Sequence, residues 1–250
     1  MVKPKGFEFK QFFIEHAHCA MKVGTDSIML GSWACVAGAK HILDVGTGSG
    51  ILALMLAQRA ADDSHITGID IDSAAILQAN RNGQCCPWSS NLTFSHTSLQ
   101  QFEPSNKFDL IVSNPPYFPV YGRSGEEAGQ GAGLVSHQQR QTARQTGALS
   151  HQQLVQGVAA LLSKNGRFIC VLPAENSEHV VDYAAQFGLQ CHRQLLVRAK
   201  PDGKIIRHLL EFGRYSVLGD VASAHLHICQ EEKQYSQAYI NLCKDYYLKF

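Results

Sequence analysis

The segment SNPPYF, at residues 113 to 118, places an amide, two prolines and an aromatic ring directly after the apolar run FDLIV. Pro115 and Pro116 lack backbone N–H donors and hold the end of a predicted strand extended and rigid. The side-chain oxygen of Asn114 and the backbone carbonyl of Pro115 can then accept both hydrogens of one planar NH₂ group. Tyr117 can stack on the ring that bears this group, and its π face suits a nearby cation. These residues predict that an amine is positioned to attack a methyl donor.

A glycine-rich segment, LDVGTGSG at residues 43 to 50, lies between a predicted strand and a predicted helix. Its glycines allow a tight turn and a close approach of the backbone to a ligand. The G-x-G-x-G spacing and the acid two residues before the first glycine favour S-adenosylmethionine over a dinucleotide, because the former has an ammonium group and no pyrophosphate. The predicted cofactor contacts in this turn are Asp44, Gly46, Thr47, Gly48 and Gly50.

A second acidic position, Asp70 in GIDID, follows Gly46 by 24 residues and ends the next predicted strand. A carboxylate there can accept hydrogen bonds from both hydroxyls of a ribose. Asp70 and the adjacent Ile71 are therefore predicted cofactor contacts. The alternative for Asp70 is a solvated acid at a strand end or a helix cap.

Apolar runs alternate with helix-forming segments from residue 41 onward, and this alternation predicts a Rossmann-like, doubly wound α/β fold with a mostly parallel sheet. Two later runs, at 189 to 199 and 207 to 216, flank the turn signal Asp202-Gly203 and predict a C-terminal antiparallel hairpin. The predicted strands before the hairpin are residues 41 to 46, 66 to 71, 92 to 96, 108 to 113 and 166 to 173, and the predicted helices are 49 to 60 and 73 to 82.

The composition predicts a soluble chain with one substantial core, since 45% of its 250 residues are hydrophobic. The start MVKPKGFEFK has no apolar signal region, and no stretch approaches the roughly 18 apolar residues of a membrane-spanning helix. We therefore expect a cytoplasmic protein with no membrane contact. The eight cysteines form no CxxC pair and are expected to be reduced. None of the twelve histidines joins an acidic or cysteine cluster, so no metal site is predicted.

Charge is unevenly distributed along the chain, although the net charge is only +1. Residues 41 to 118 contain three basic and seven acidic side chains, whereas residues 119 to 210 contain ten basic and six acidic ones. Residues 1 to 40 have five basic and three acidic side chains. Positive segments therefore bracket an acidic middle. Ordinary surface variation and a binding surface for a polyanion both remain open from this pattern.

The two motifs, DVGTGSG and SNPPYF, resemble those of class I S-adenosylmethionine-dependent methyltransferases that modify exocyclic or amide nitrogens. The segment FEFKQFFIEHAHCAMKVGTDSIMLGSWA, at residues 7 to 34, is more selective and resembles the bacterial tRNA1(Val) adenine-N6 methyltransferases. The closing QYSQAYINLCKDYYLKF resembles the last helix of that family. Residues 118 to 148 and 174 to 235 are the least similar. The resemblance implies methyl transfer to N6 of the adenosine just 3′ of the anticodon, with tRNA as the partner and no obligate protein partner.

The resemblance also implies further site residues. In related enzymes KVGTDSIMLG packs over the methionine half of the cofactor, so residues 1 to 40 are expected to cap the cofactor site and residues 41 to 250 to form the methyltransferase domain. Asp26 could instead, or in addition, be the N-cap of the following helix. Ser98 stands where the family usually has an acid that contacts the cofactor adenine. The candidate cofactor contacts added here are Gly24, Thr25, Asp26 and Ser98, and the candidate tRNA contacts are Phe118, Arg123, Arg140 and Arg144.

Two alternatives to a tRNA methyltransferase stay open from the sequence. A protein glutamine-N5 methyltransferase uses the same Asn-Pro-Pro-Tyr motif to hold an amide, but such enzymes resemble this core with a helical N-terminal domain in front. Only about 40 residues precede the glycine motif here. A noncatalytic cofactor-binding or RNA-binding protein could keep the fold, and the presence of Asp44, Asp70 and Asn114 argues against it.

Overall fold

The computed structural model describes residues 5–16, 22–115, 149–214, 221–231 and 234–250. In this part of the chain, none of the helices is long and apolar enough to cross a membrane. The helices are Thr25–Trp33 (α1), Ile51–Ala57 (α2), Ser73–Gln84 (α3), His151–Leu161 (α4), Ser177–Gln186 (α5) and Gln237–Cys243 (α6). The strands are Gly6–Glu8 (β1), Phe13–Glu15 (β2), His41–Val45 (β3), His65–Asp70 (β4), Leu92–His96 (β5), Phe108–Ser113 (β6), Leu162–Pro173 (β7), Gln190–Arg198 (β8), Ile205–Gly213 (β9), Ala222–His227 (β10), Cys229–Glu231 (β11) and Gln234–Tyr235 (β12).

Eight of these strands form a central sheet in the order β10-β8-β9-β7-β6-β3-β4-β5. The five strands from β7 to β5 are parallel, whereas β9 is antiparallel to both β7 and β8. The chain builds outward from β3 through β4 to β5 and then returns to place β6 on the other side of β3. This reversal leaves a crevice at the carboxyl ends of β3 and β6, which is where open α/β sheets bind ligands. The predicted fold class and the terminal hairpin are confirmed.

Side chains of the parallel strands alternate between two cores, one on each face of the sheet. Leu110 and Val112 of β6 pack in one cluster with α1, α2 and α6, while Ile111 packs in the other cluster with α4 and α5. Because both faces are covered by helices, the parallel strands are apolar almost throughout, as the sequence of β6 indicates. Strand β10, which pairs in parallel with β8 at the edge, was not predicted from the sequence. Most of its residues are exposed, so ASAHLH has no buried stripe to reveal it.

The described part of the N-terminal segment packs against the C-terminal helix and the tail that follows it. Phe9 is buried and its ring meets that of Tyr246 edge to face, with centroids 6.4 Å apart. The Lys10 ammonium donates to the carbonyl oxygens of Lys244 at 2.6 Å and Phe250 at 2.8 Å. The Tyr246 hydroxyl in turn donates to the carbonyl of Met55 in α2 at 2.7 Å. The two ends of the chain are thereby joined to the helix that follows the glycine-rich turn.

Asn82, near the end of α3, connects the N-terminal segment to the glycine-rich turn. Its side-chain nitrogen donates to the carbonyls of Glu15 at 2.9 Å and Ser49 at 2.8 Å, and its oxygen accepts from the Glu15 N–H at 3.0 Å. The residue is only 4% exposed, so water cannot replace these bonds. Buried polar groups that lose a partner cost free energy, and Asn82 satisfies three at once.

We predict that Asn82→Ala lowers the free energy of unfolding by about 2 to 3 kcal/mol, because buried backbone groups lose their partners. Asn80→Ala is the matched control, since the Asn80 side chain donates to Ile76 within the same helix and, among the described residues, bonds to no other element. Its loss should stay below about 0.5 kcal/mol. Urea denaturation of both variants measures the difference. Equal losses would show that the connection made by Asn82 contributes nothing beyond its own helix.

Candidate active site

The glycine-rich turn leaves β3 and folds back over the end of β4. The backbone N–H groups of Gly46 and Thr47 both donate to the carbonyl of Ile69, at 2.9 and 3.0 Å. Gly46 and Gly48 have φ of 73° and 55°, in the left-handed region where glycine avoids strain. A Cβ at either glycine would meet no atom within 4 Å, so both residues border open space beside the turn.

Asp44 lies beneath this turn and is completely buried. Its Oδ2 accepts from the Thr47 hydroxyl at 2.7 Å and from the Ala53 N–H at 3.2 Å, so the carboxylate fixes the turn to the start of α2. Its Oδ1 is buried and meets no hydrogen-bond partner within the described ranges. The pKa of Asp44 is raised to about 7, mainly by burial; the two hydrogen bonds oppose this rise and the nearby Asp70 carboxylate adds to it. Asp44 therefore holds the turn from below.

Asp70 ends β4 and bonds with both carboxylate oxygens to backbone. Oδ2 accepts from the Gly48 N–H at 2.9 Å, and Oδ1 accepts from the Asp72 N–H at 2.9 Å. Asp70 is not the cap of α3, because Asp72 accepts from the Ala74 and Ala75 N–H groups in that role. Each Asp70 oxygen keeps a second lone pair for another donor.

Two further predicted contacts lie beside Asp70 at the same edge of the sheet. Ile71 follows Asp70 directly and is 49% exposed, unusually open for a large apolar side chain. Ser98 follows β5, which pairs with β4, and its hydroxyl donates to the Gln101 side chain at 3.1 Å. Ile71 therefore offers an apolar surface, and Ser98 a polar group, at the same edge of the sheet as the Asp70 carboxylate.

Asn114 follows β6, and its side chain is held by the N-terminal helix. Its Nδ2 donates to the Ser27 hydroxyl oxygen at 3.0 Å, and Ser27 is only 8% exposed. The Oδ1 of Asn114 is buried and has no hydrogen-bond partner in the part of the chain that the structure describes. The preceding Ser113 donates its hydroxyl to the Val45 carbonyl at 2.9 Å, which locks the end of β6 to the end of β3. The amide nitrogen thus already donates a hydrogen bond, whereas the amide oxygen can still accept one from a ligand.

The N-cap of α1 is not the residue that was predicted. Gly24 is the N-cap of this helix and makes no side-chain cap, so the prediction of Asp26 as the N-cap is wrong. Asp26 lies inside the first turn, where its Oδ2 forms an ion pair with Nε of Arg207 at 2.8 Å. Arg207 is at the start of β9, so the pair joins the N-terminal helix to the C-terminal hairpin.

A cavity of about 400 Å³ separates these elements, within the size range of small-molecule sites. Of the predicted residues, those lining it are Gly24, Thr25, Asp26, Gly46, Thr47, Gly48 and Asn114. The lining does not include the other predicted residues that the structure describes, namely Asp44, Gly50, Asp70, Ile71, Ser98 and Pro115. The cavity lining also includes residues that the sequence did not suggest, namely Lys22, Ser27, Ser49, Ile51, Leu52, Ile206, Arg207 and Ile228. Pro116, Tyr117, Phe118, Arg123, Arg140 and Arg144 lie outside the described residues.

The residues present fit S-adenosylmethionine. The glycine turn provides open space that any side chain would occupy, and the cavity beside it has a suitable volume. Two buried acceptors, Oδ1 of Asp44 and Oδ1 of Asn114, lack a partner among the residues that the structure describes. Asp70 and the exposed Ile71 stand at the next strand end, where a ribose and an adenine ring would follow.

The fold and this site define a class I S-adenosylmethionine-dependent methyltransferase. A family profile described as "Methyltransferase domain" matches residues 37–214. A predicted O-methyltransferase from Agrobacterium tumefaciens has a similar fold, with a TM-score of 0.63 and 14% identity over 88% of this chain and 96% of that one. A ribosomal protein L11 methylase from Lactobacillus delbrueckii subsp. bulgaricus gives a TM-score of 0.51 and 19% identity over 76% and 77% of the two chains.

Curated relatives narrow the class further. The tRNA1(Val) (adenine(37)-N6)-methyltransferase of Pseudoalteromonas atlantica is 44% identical and covers 100% of both chains. The protein of the same name from Bacteroides thetaiotaomicron is 40% identical over 97% of each chain. The chain belongs to this tRNA1(Val) (adenine(37)-N6)-methyltransferase family.

We predict that Asp44 makes the folded protein less stable as pH rises from about 4 to 7. Its pKa is raised from 3.8 to about 7, so in this window the folded state holds a proton that the unfolded state has released. The free energy of unfolding therefore falls through the window, and Asp44→Asn should reduce that fall. Denaturant titrations at pH 4.5, 6 and 7.5 measure it.

Asp63→Asn is the control for this pH dependence. Its hydrogen bond from Lys40 lowers the pKa of Asp63, so that carboxylate contributes stability that is lost as pH falls. Removing the Asp63 carboxylate therefore cannot reduce the fall in the free energy of unfolding that Asp44 causes as pH rises. Parallel curves for wild type and Asp44→Asn would contradict the assignment.

Proposed function

We propose that this protein transfers the methyl group of S-adenosylmethionine to N6 of adenosine 37 in tRNA1(Val), the reaction for which its relatives are named. One observation in the structure supports the chemistry most directly. Asn114 directly follows β6 and lines the cavity, with its Nδ2 bound to Ser27 and its Oδ1 buried and without a hydrogen-bond partner among the described residues. This is the arrangement needed to accept a hydrogen from an exocyclic amine.

The cofactor would be held along the carboxyl ends of β3 and β4. When bound, S-adenosylmethionine supplies a methyl group on a cationic sulfur. Asp70 has a free lone pair on each oxygen for the ribose hydroxyls, and Ile71 offers an exposed apolar surface for the adenine. Gly46 and Gly48 leave room for the methionine portion, beside which Gly24 and Thr25 line the cavity.

Residues 1 to 40 would then act as a cap over the cofactor, and residues 41 to 250 as the methyltransferase domain. Support comes from α1, whose first turn lines the cavity and is joined to the hairpin by the Asp26–Arg207 ion pair. The same helix supplies Ser27, which holds Asn114. The cap therefore contributes both to the walls of the cavity and to the orientation of the acceptor amide.

The protein accelerates transfer mainly by positioning. The N6 amine of adenine is a weak nucleophile because its lone pair is delocalised into the ring. Acceptance of its hydrogens by Asn114 Oδ1 and by the Pro115 carbonyl localises that lone pair on nitrogen and aims it at the methyl group. Of the described cavity residues, Asp26 is the acid, and it is paired with Arg207, so the proton released after transfer passes to solvent.

The target adenosine must leave its stack to reach this cavity. Unstacking costs least in a single-stranded loop such as the anticodon loop. Tyr117 and Phe118 would contact the base, with Arg123, Arg140 and Arg144 as candidate phosphate contacts. A tRNA substrate also favours the cytoplasm as the place of action.

The function is tested by transfer of labelled methyl groups from S-adenosylmethionine into total tRNA that lacks this modification, followed by nucleoside analysis and mapping. We expect N6-methyladenosine at position 37 of tRNA1(Val). Label in glutamine of a release factor, or in a different nucleoside, would overturn the proposal.

We predict that Asn114→Ala lowers kcat about 100-fold or more while S-adenosylmethionine affinity stays within a few-fold of wild type. The amide acts on the amine and not on the cofactor. Ser27→Ala should lower kcat by about 5-fold, since one hydrogen bond that fixes the amide is lost. Ser32→Ala is the matched control on the same helix, because Ser32 does not line the cavity.

Single-turnover rates and calorimetry separate the two effects. Near-normal turnover of Asn114→Ala on tRNA would remove the role assigned to the amide. If Ser32→Ala lowered kcat as much as Ser27→Ala does, the effect would come from disturbing α1 in general and not from the hydrogen bond to Asn114.

We predict that Asp70→Ala weakens S-adenosylmethionine binding by about 1.5 to 3 kcal/mol, the range for hydrogen bonds to a charged group. Asp72→Ala is the matched control, since that carboxylate caps α3. It should cost about 1 kcal/mol of stability and leave the cofactor affinity unchanged. Calorimetry with the cofactor alone distinguishes the two variants. Unchanged affinity in Asp70→Ala would reduce Asp70 to a support for the glycine turn.

A further inference from the structure

The turn between β8 and β9, residues 199 to 204, lies at the same edge of the sheet as the candidate active site. Strand β7 is parallel to β6 and ends at this edge, and the antiparallel register places Arg207 of β9 opposite Pro173 at the end of β7. Arg198 at the end of β8 pairs with Ile205. The turn that joins these strands therefore projects beyond the sheet beside the cavity.

This turn is close to the cavity along the chain. Ile206 and Arg207 line the cavity, and Lys204 precedes Ile206 by two residues, or about 7 Å of extended backbone. Lys200 and Lys204 are both exposed. Residues 198 to 207 contain four basic side chains and one acidic one, Asp202.

Neighbouring backbone holds the turn in a fixed shape. The Gly203 N–H donates to the Lys200 carbonyl at 3.1 Å, which closes the turn. The N–H groups of Ile228 and Cys229 donate to the carbonyls of Arg198 and Ala199, at 2.9 and 3.0 Å, so the chain after β10 supports it from the side. The lysines are thus presented from a braced turn.

Arg198 keeps its positive charge on this surface although it has a partner. Its NH1 is 2.8 Å from Nδ1 of His225, and a guanidinium can only donate, so Arg198 is the donor in this contact and no acid neutralises it there. Arg207, by contrast, is neutralised by Asp26. The charge available to an outside ligand therefore comes from Lys200, Lys204 and Arg198.

We propose that the β8–β9 turn binds the phosphate backbone of the RNA strand next to the target nucleotide, through Lys200 and Lys204. This inference rests on the proposed function, because it assumes that an RNA strand enters the neighbouring cavity. A flipped nucleotide leaves its flanking phosphates at the mouth of the site, and exposed ammonium groups on a braced turn match that need. An acidic protein is the competing partner, and the test separates the two.

The test is the salt dependence of tRNA binding by the Lys200→Ala, Lys204→Ala double variant. Each phosphate contact to single-stranded RNA contributes about −0.7 to the slope of log affinity against log salt. Two lost contacts should make the slope shallower by about 1.4 and weaken binding about 25-fold at 0.1 M salt. Fluorescence anisotropy from 50 to 300 mM KCl measures both quantities.

The matched control removes the same two charges from the opposite edge of the sheet, with Lys107→Ala and Lys164→Ala. Lys107 precedes β6 and Lys164 is near the start of β7. This variant should keep the slope and affinity of wild type. Calorimetry should give the wild-type S-adenosylmethionine affinity for the turn variant, which shows that the cavity is intact.

Three outcomes overturn the inference. They are a wild-type slope in the turn variant, an equal change in the control, or polyglutamate that displaces tRNA from wild type as efficiently as unlabelled tRNA does. The proposed function is judged separately by nucleoside analysis of the wild-type reaction. If wild type forms N6-methyladenosine and the turn variant binds tRNA normally, only the inference fails.

Discussion

The pairing of β3 with β6 is the constraint on which the candidate site depends. Val45 lies opposite Ser113, and the Ser113 hydroxyl donates to the Val45 carbonyl, so the two strands end level with each other. The glycine-rich turn and Asn114 follow directly from these two ends. A shift by one residue would turn every side chain of β6 to the opposite face and move the amide away from the turn. The apolar residues of both strands, buried between two helical layers, prevent that shift.

Two polar connections close the cavity from the other side, and both come from the start of α1. Ser27 binds Asn114, and Asp26 binds Arg207, so adjacent residues of one helical turn contact β6 and β9. The segment before α1 is itself held by Asn82 and by the contacts of Phe9 and Lys10 with the C-terminal tail. The walls of the cavity are therefore formed by α1 and the residue stretch before it on one side, and by the glycine-rich turn, Asn114 and the start of β9 on the other.

The sequence predicted the features that depend on local pattern. Alternating apolar runs gave the parallel strands, and the positions of Asp70 and Asn114 at strand ends followed from the motifs that contain them. Ser27 and Arg207 could not be found in this way, because each acquires its place through a partner far away in the chain. The ion pair of Asp26 with Arg207 spans 181 positions, and Asp26 forms it from inside the first turn of α1 because Gly24 is the N-cap. The edge strand β10 escaped prediction because its exposed residues show no periodic burial.

The order of the strands places the acidic and the basic segments of the sequence on different halves of the sheet. Residues 41 to 118, with three basic and seven acidic side chains, build β3 to β6 on one half of the sheet. The basic hairpin of β8 and β9 lies on the other half. In the proposed reaction one edge of the sheet must bind both a cationic cofactor and a polyanionic RNA. Basic residues that bind the RNA would repel the cofactor, and acidic residues that bind the cofactor would repel the RNA. Because charges interact over about 10 Å at 0.1 M salt, acids at the ends of β3 and β4 and lysines of the β8–β9 turn, three or more strands away, can each act on their own ligand. Strands β6 and β7 lie between the acidic half and the basic hairpin. In the proposed reaction the neutral amide of Asn114 would meet a neutral amine there, where a net charge of either sign would favour one ligand at the expense of the other.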